Sequence, residues 1–87
     1  MYCLLFYDVN VKRVQKVHRM LSKRMFWIQN STFEGEMSQT QKRLLTRDLT
    51  SMLDPEEDSL VFAWTEASNA WRKQLLGRDK GRVDIIA

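Results

Sequence analysis

Asp8 is the residue of this sequence that is best placed to carry out chemistry. Its carboxylate follows directly on an apolar run, residues 2–7, which is typical of a buried β-strand. Asn10, a good helix N-cap, comes next, and a basic helical pattern begins at Val11. Such a carboxylate suits phosphate chemistry, because Mg²⁺ commonly needs only one or two carboxylates together with water and substrate phosphate. The same pattern also fits a strand that simply ends in a turn.

Other residues offer little chemistry within one chain. The sequence contains no nucleophile triad, P-loop or zinc-ligand spacing. We interpret the single histidine, His18, as structural, because it lies at the apolar edge of the predicted helix. The acidic run Glu56–Asp58 lacks interleaved ligand spacing, and we predict that it is a solvated loop. A convincing metal site therefore needs two chains, with a two-fold axis that brings both Asp8 carboxylates together.

Basic residues form the second candidate site. Residues 1–47 carry a charge of +6, residues 48–69 carry −6 and residues 70–87 carry +3, which suggests basic surfaces separated by an acidic loop. No acid occurs between residues 9 and 33, so nothing nearby in sequence neutralises the bases of the first helix. This pattern permits nucleic-acid binding, although a solvated helix surface would look similar. The first candidates are Lys12, Arg13, Lys16, Arg19 and Lys23; the second are Arg72, Lys73 and Arg78, with Lys80 and Arg82.

The elements that position these residues follow from periodicity and from turn signals. Apolar residues at steps of three and four predict a helix over 11–25, with Val11, Val14, Val17, Leu21 and Met25 on its inner face. A capping box of Ser38 and Gln41 starts a second helix, which Asp54-Pro55 ends at about Leu53. The predicted strands are 2–7, 26–29, 32–37, 60–64 and 71–77, with a last short strand over 83–86. The apolar alternation slips between the second and third of these strands, which predicts a bulge or tight turn at Asn30-Ser31.

This order predicts an α+β chain of the ferredoxin-like class, β-α-β-β-α-β with an extra C-terminal strand. Strands 2–7 and 60–64 are apolar on both faces, and 87 residues leave nothing to cover the second face. Two sheets that pair face to face in a symmetric homodimer would cover it. We expect one domain, 1–87, with residues 70–87 as its C-terminal extension; a family resemblance described below implies that this extension is exchanged with the partner subunit.

Composition restricts the class of protein. Hydrophobic residues make up 44% of the chain and charged residues 29%, which is usual for a globular domain. The one cysteine, Cys3, lies in an apolar strand and has no partner for an internal disulfide, which fits a reducing cytoplasm. We expect neither a signal peptide nor a membrane-spanning segment, because Asp8 interrupts the N-terminal apolar run and no other stretch is long enough.

Three blocks of residues resemble the CRISPR-associated protein 2 family. They are Tyr7-Asp8-Val9 before a basic amphipathic helix, the run from Trp27 to Glu36 (WIQNSTFEGE), and the run from Trp71 to Gly77 (WRKQLLG). The likeness covers nearly the whole chain, and its most specific part is the QNSTFEG block.

The resemblance implies a ferredoxin-like homodimer, in prokaryotic cytoplasm, whose final strand crosses onto the partner's sheet. It implies a scaffold role with duplex DNA and the CRISPR integrase (CRISPR-associated protein 1) in spacer acquisition. It also implies a metal-dependent endonuclease acting on single-stranded RNA or duplex DNA, with Asp8 as catalytic residue and Mg²⁺ ligand.

Three hypotheses follow. The chain is a Mg²⁺-dependent endonuclease, a DNA-binding scaffold without relevant catalysis, or an RNA-binding module that stacks bases on its sheet. The third requires a basic-glycine-aromatic strand signature and exposed aromatic side chains, and we expect neither in the strands of this sequence. We favour the first two together, a nuclease that acts chiefly as a scaffold.

Overall fold

Five strands and two helices make up the fold. A computed structural model describes residues 1–66 and 70–80. The elements in chain order are β1 (Tyr2–Asp8), α1 (Val11–Ser22), β2 (Phe26–Gln29), β3 (Thr32–Glu36), α2 (Gln39–Met52), β4 (Ser59–Thr65) and β5 (Trp71–Gly77).

All five strands belong to one sheet in the order β2-β3-β1-β4-β5, and every neighbouring pair is antiparallel. The β-α-β-β-α-β order with an added strand confirms the predicted α+β, ferredoxin-like class. The added strand, β5, pairs with β4 of the same chain along its whole length. The suggested strand 83–86 lies outside the described residues, and exchange of residues 70–87 with a partner stays a prediction.

The hydrophobic core lies between the two helices and one face of the sheet. Alternate residues of β1, namely Cys3, Leu5 and Tyr7, point into it and are buried. Helix α1 adds Val17 and Leu21, and α2 adds Leu45 and Leu49, all of them fully buried. Truncating one such leucine to alanine would cost roughly 2–5 kcal/mol.

Within the described part of the chain, the opposite face of the sheet has no helix over it, as the length of the chain predicts. On β1 the residues between the core positions, Tyr2, Leu4 and Phe6, are only half-buried. Tyr2 owes part of its cover to side chains of the same face, since its ring meets that of Trp71 edge-on and its hydroxyl donates to Glu34. We call this surface the open sheet face; the strand registers assign to it Leu4, Phe6, Phe26, Val61, Ala63 and Leu75.

Helix α1 begins at Val11, as predicted, but differs from the prediction in the burial of Val11 and in its C-terminal end. Val11 was expected on the inner face but is 81% exposed, because periodicity does not say where along a helix its contact with the sheet begins. The helix stops at Ser22, and the N–H groups of Lys23 and Arg24 then bond to the carbonyls of Met20 and Leu21 in a tighter turn. Met25 is nevertheless buried, as predicted.

Local turn and cap signals agree with the structure. Asn30 has a positive φ of 47° in the β2–β3 turn, as the slip in alternation predicts, and the strand register shifts just before it, between Trp27 and Gln29. Ser38 and Gln41 form the complete capping box of α2. Among the described residues, neither helix is long and apolar enough to cross a membrane.

Candidate functional site

Asp8 is the last residue of β1, directly opposite Ser59 of β4. Its side chain is 75% exposed and follows the parity of Leu4 and Phe6, so it lies at the end of the open sheet face. Lys80 reaches the same point from beyond β5: its Nζ lies 3.6 Å from Asp8 Oδ2 and donates to the Asp8 carbonyl at 3.2 Å. The site thus combines an exposed carboxylate with one ammonium group.

Tyr7 precedes Asp8 but faces the core, on the other side of the sheet. Its hydroxyl lies 3.1 Å from Nδ1 of His18, and its ring stacks on Phe33. Burial raises the pKa of the Tyr7 hydroxyl. His18 also packs against the rings of Phe33 and Trp27. Both Tyr7 and His18 therefore hold α1 on the sheet, and neither shares the surface of Asp8.

Asp8 supplies one carboxylate of the kind that binds Mg²⁺. An exposed carboxylate is the oxygen donor that this cation prefers, and it leaves room for water and for substrate phosphate. Within residues 1–66 and 70–80, however, no three His, Cys, Asp or Glu side chains cluster as a metal site. One chain thus fits Mg²⁺ only together with a second carboxylate or a phosphate ligand.

The prediction of a solvated acidic loop is wrong for one of its three residues. Asp58 is completely buried, whereas Glu56 and Glu57 are exposed. Its Oδ1 accepts from the backbone N–H of Asn10 at 2.8 Å, and its Oδ2 accepts from the N–H of Asp54 at 2.8 Å. The turn folds inward because these bonds, with an ion pair from α1, compensate the loss of water around the carboxylate.

Arg13 forms that ion pair. Its Nε lies 2.6 Å from Asp58 Oδ2 and its Nη2 lies 3.1 Å from Oδ1, a two-pronged arrangement. Burial raises the pKa of Asp58, but the bonds from Arg13, Asn10 and Asp54 outweigh burial and lower that pKa to about 2. The pKa of Arg13 is raised, chiefly by its hydrogen bond to Asp58. Arg13, a candidate for nucleic-acid binding, is thus committed to an internal carboxylate.

The other four candidates on α1 remain available. Lys12, Lys16, Arg19 and Lys23 are all exposed, and none of them takes part in an ion pair within the described parts of the chain. Two further bases, Arg24 just after α1 and Arg47 on α2, do form ion pairs. Asp48 of α2 pairs with Arg24 at 2.6 Å and with Arg47 at 3.1 Å. The basic face of α1 consists of the four unpaired residues.

The C-terminal candidates do not form one surface. Arg72 and Lys73 are adjacent in β5 and so point to opposite faces: Arg72 pairs in register with Trp64 on the helix side, and Lys73 with Ala63 on the open sheet face. The backbone N–H of Arg78 bonds to the carbonyl of Asp58 at 2.7 Å. Arg82 lies outside the described residues. Strand alternation in the sequence already separates Arg72 from Lys73, but which of the two lies on the helix side depends on how β5 pairs with β4.

Comparisons with known proteins agree with this geometry. A family model described as "CRISPR associated protein Cas2" matches residues 1–73. Proteins named "CRISPR-associated endoribonuclease Cas2" are 36% identical in Methanothermobacter thermautotrophicus, over 98% of this chain and 93% of that protein, and 38% identical in Pyrococcus furiosus, over 99% of both. A solved structure titled "Crystal structure of cas2" superposes with a TM-score of 0.71 at 39% identity, covering 100% of this chain and 98% of that one.

Proposed function

Because the chain belongs to the CRISPR-associated protein Cas2 family, we propose that it is a Mg²⁺-dependent endonuclease that works as a homodimer. We further propose that this dimer is a scaffold for the CRISPR integrase subunit when spacer DNA is inserted. The observation that carries the catalytic part is the exposed Asp8 carboxylate at the end of the open sheet face. The relatives named as endoribonucleases support phosphodiester cleavage of RNA. Duplex DNA is the second substrate that we propose.

The dimer would complete the site. The open sheet face carries apolar residues of β1, β4 and β5, with Lys73 among those of β5, and Asp8 lies at its end. A two-fold axis near that end would bring two Asp8 carboxylates towards each other. Two facing carboxylates repel, and a divalent cation between them would relieve that repulsion.

Each residue at the site would have a definite part. Asp8 would hold Mg²⁺, which when bound polarises a phosphate and makes a bound water more acidic. Lys80 is the nearest cation to Asp8 and would attract the negatively charged phosphodiester. The basic face of α1 would bind the nucleic-acid backbone without regard to sequence, because it carries four ammonium or guanidinium groups and presents no base-reading arrangement.

A scaffold without relevant catalysis is the second candidate function. One observation favours it: among the described residues no three metal-ligating side chains cluster, and the Asp8 carboxylate already has Lys80 as a counter-ion. In this case Asp8 would only shape the strand end, and binding would depend on α1 alone.

Replacing Asp8 by Asn separates the two functions. The amide has nearly the same shape but lacks the charge that a hard cation requires. We expect Asp8→Asn to fold, dimerise, bind duplex DNA and assemble with the integrase normally, while Mg²⁺-dependent cleavage of RNA falls at least a hundredfold. Glu56→Gln is the matched control, because it also removes one exposed carboxylate but lies in the α2–β4 turn. If purified Asp8→Asn cleaves RNA at the wild-type rate, the catalytic function of Asp8 is refuted and only the scaffold function remains.

A further inference from the structure

Asp58 joins two segments of chain that flank Asp8. The first is the turn between β1 and α1. Asn10, two residues beyond Asp8, donates its backbone N–H to Asp58 Oδ1, caps α1 through its own Oδ1, and donates its side-chain amide to Glu57 at 2.8 Å. Asp8 itself pairs with Ser59, the residue after Asp58. The end of β1 and the turn that follows it are therefore both held by the same two neighbouring residues, Asp58 and Ser59.

The second segment follows β5 and leads to Lys80. The carbonyl of Asp58 accepts the backbone N–H of Arg78 at 2.7 Å. Gly77 crosses directly over that carbonyl with φ +80°, and a Cβ on Gly77 would overlap the oxygen, so only glycine permits this approach. Three residues later Lys80 meets Asp8. Asp58 therefore contacts one flank of Asp8 with its carboxylate and the other with its main chain.

These contacts form a continuous path from α1 to the Asp8 site. Arg13 anchors the Asp58 carboxylate to α1, and the two carboxylate oxygens hold two different backbone N–H groups, Oδ1 that of Asn10 and Oδ2 that of Asp54. Complete burial keeps water from replacing any of these bonds. A side chain held in this way is preorganised, which is what a supporting residue behind a reactive group must be.

We propose that Asp58 is a positioning residue for the Asp8 site: it fixes the β1–α1 turn and the Arg78–Lys80 segment so that the Asp8 carboxylate and the Lys80 ammonium stay in place for the phosphodiester. The proposal rests on the proposed function. Asp58 touches neither substrate nor metal, so its loss should lower kcat and leave the KM for RNA nearly unchanged. A displacement of a reacting group by about 1 Å can cost roughly a hundredfold in rate.

The test compares Asp58→Asn with two controls. Asp48→Asn removes a carboxylate that also pairs with arginines but lies on α2, with no contact to either flank of Asp8. Leu49→Ala lowers stability through the core alone. With all proteins assayed well below their Tm, we expect kcat to fall between tenfold and a hundredfold in Asp58→Asn, with KM within twofold of the wild type. Both controls should keep kcat within twofold.

A second readout does not depend on activity. In metal-free ¹H–¹⁵N spectra, the amide signals of Asp8, Val9 and Lys80 should shift in Asp58→Asn and remain in place in Asp48→Asn. If Asp58→Asn does not fold, the Arg13→Gln/Asp58→Asn double variant leaves no unpaired charge. It should fold and still show the low kcat, because the amide NH₂ takes the place of one carboxylate oxygen and cannot accept the backbone N–H that this oxygen holds.

Two outcomes separate this inference from the function on which it rests. A folded Asp58→Asn with wild-type kcat and unshifted Asp8 signals would overturn the positioning role, whatever Asp8 does. Wild-type cleavage by Asp8→Asn would refute the catalytic function alone, and the amide signals would then decide whether Asp58 positions the strand end.

Discussion

Among single residues, the position of Asp8 could be predicted from its neighbours in sequence, and the burial of Asp58 could not. Asp8 was predicted from its place after an apolar run, and the structure puts it at the strand end, exposed. Asp58 was missed, because the run Glu56–Asp58 gives no sign that one of its three acids turns inward. Its partners Asn10 and Arg13 lie 48 and 45 residues away in sequence. A buried ion pair of this kind is set by tertiary packing and has no signature in the spacing of one chain.

The ionisation of Asp58 predicts how stability depends on pH. Its pKa is about 2 in the folded protein against an ordinary value of 3.8. A lowered folded-state pKa contributes stability that is complete above the unfolded value and is lost as pH falls through the folded value. Between pH 5 and pH 2 the free energy of unfolding should therefore fall by about 2 kcal/mol from this group.

Urea denaturation of the wild type and of Asp58→Asn over that pH range measures this loss. The variant should be less stable at pH 7, because it leaves Arg13 without its partner, and the difference should narrow by about 2 kcal/mol at pH 2. Glu56→Gln, which alters an exposed acid, should follow the wild type. A difference that stays constant with pH would mean that Asp58 is not the ionised group described here.

Whole elements were predicted best where the signal is local. The capping box at Ser38 and the turn at Asn30 depend on neighbours within three residues, and both occur as predicted. The exposed Val11, by contrast, depends on how α1 lies against the sheet, and whether Arg72 or Lys73 lies on the helix side depends on how β5 pairs with β4. Those are relations between elements, which periodicity within one element does not contain.

We predict that the basic face of α1 contributes to the binding of duplex DNA. Replacing Lys12, Lys16, Arg19 and Lys23 together by Gln should weaken duplex DNA binding for every sequence tested. The slope of log K against log salt should flatten by about 0.9 for each phosphate that the protein no longer neutralises. Fluorescence anisotropy between low and moderate salt would measure both effects.

The matched control for this face is the Arg24→Gln/Arg47→Gln double variant. It also removes basic charge near α1, but from guanidinium groups that Asp48 already holds. We expect it to change the salt slope much less for each charge removed. If the quadruple variant keeps the wild-type salt slope, the basic face of α1 is a solvated helix surface that contacts no phosphate.

At the scale of the whole molecule, the open sheet face is the feature that one chain leaves uncovered. Sequence reasoning expected one chain to leave the second face of β1 without cover, and the described part of the chain does cover only the core side. On the uncovered side Leu75 is 43% exposed and pairs with Val61, which pairs in turn with Phe6. Phe26 of β2 is 76% exposed, contrary to the expectation that the strands carry no exposed aromatic side chain, and Glu34 of β3 separates it from Leu4. The apolar residues of β1, β4 and β5 favour association with another copy, because burial removes their area from water.

If the dimer forms through the open sheet face, a charge at Leu75 should prevent dimerisation and a charge at Leu44 should not. Light scattering at micromolar concentration should give twice the 10.4 kDa chain mass for the wild type. Leu75→Glu should give the monomer mass, because an unpaired carboxylate would be buried between two apolar sheets. Leu44→Glu is the matched control: Leu44 is 38% exposed on α2, away from the open sheet face, and its variant should remain a dimer. A monomeric wild type, or a dimer that both variants leave intact, would show that the two copies do not meet through this sheet, and Asp8 would then face solvent without its symmetric counterpart.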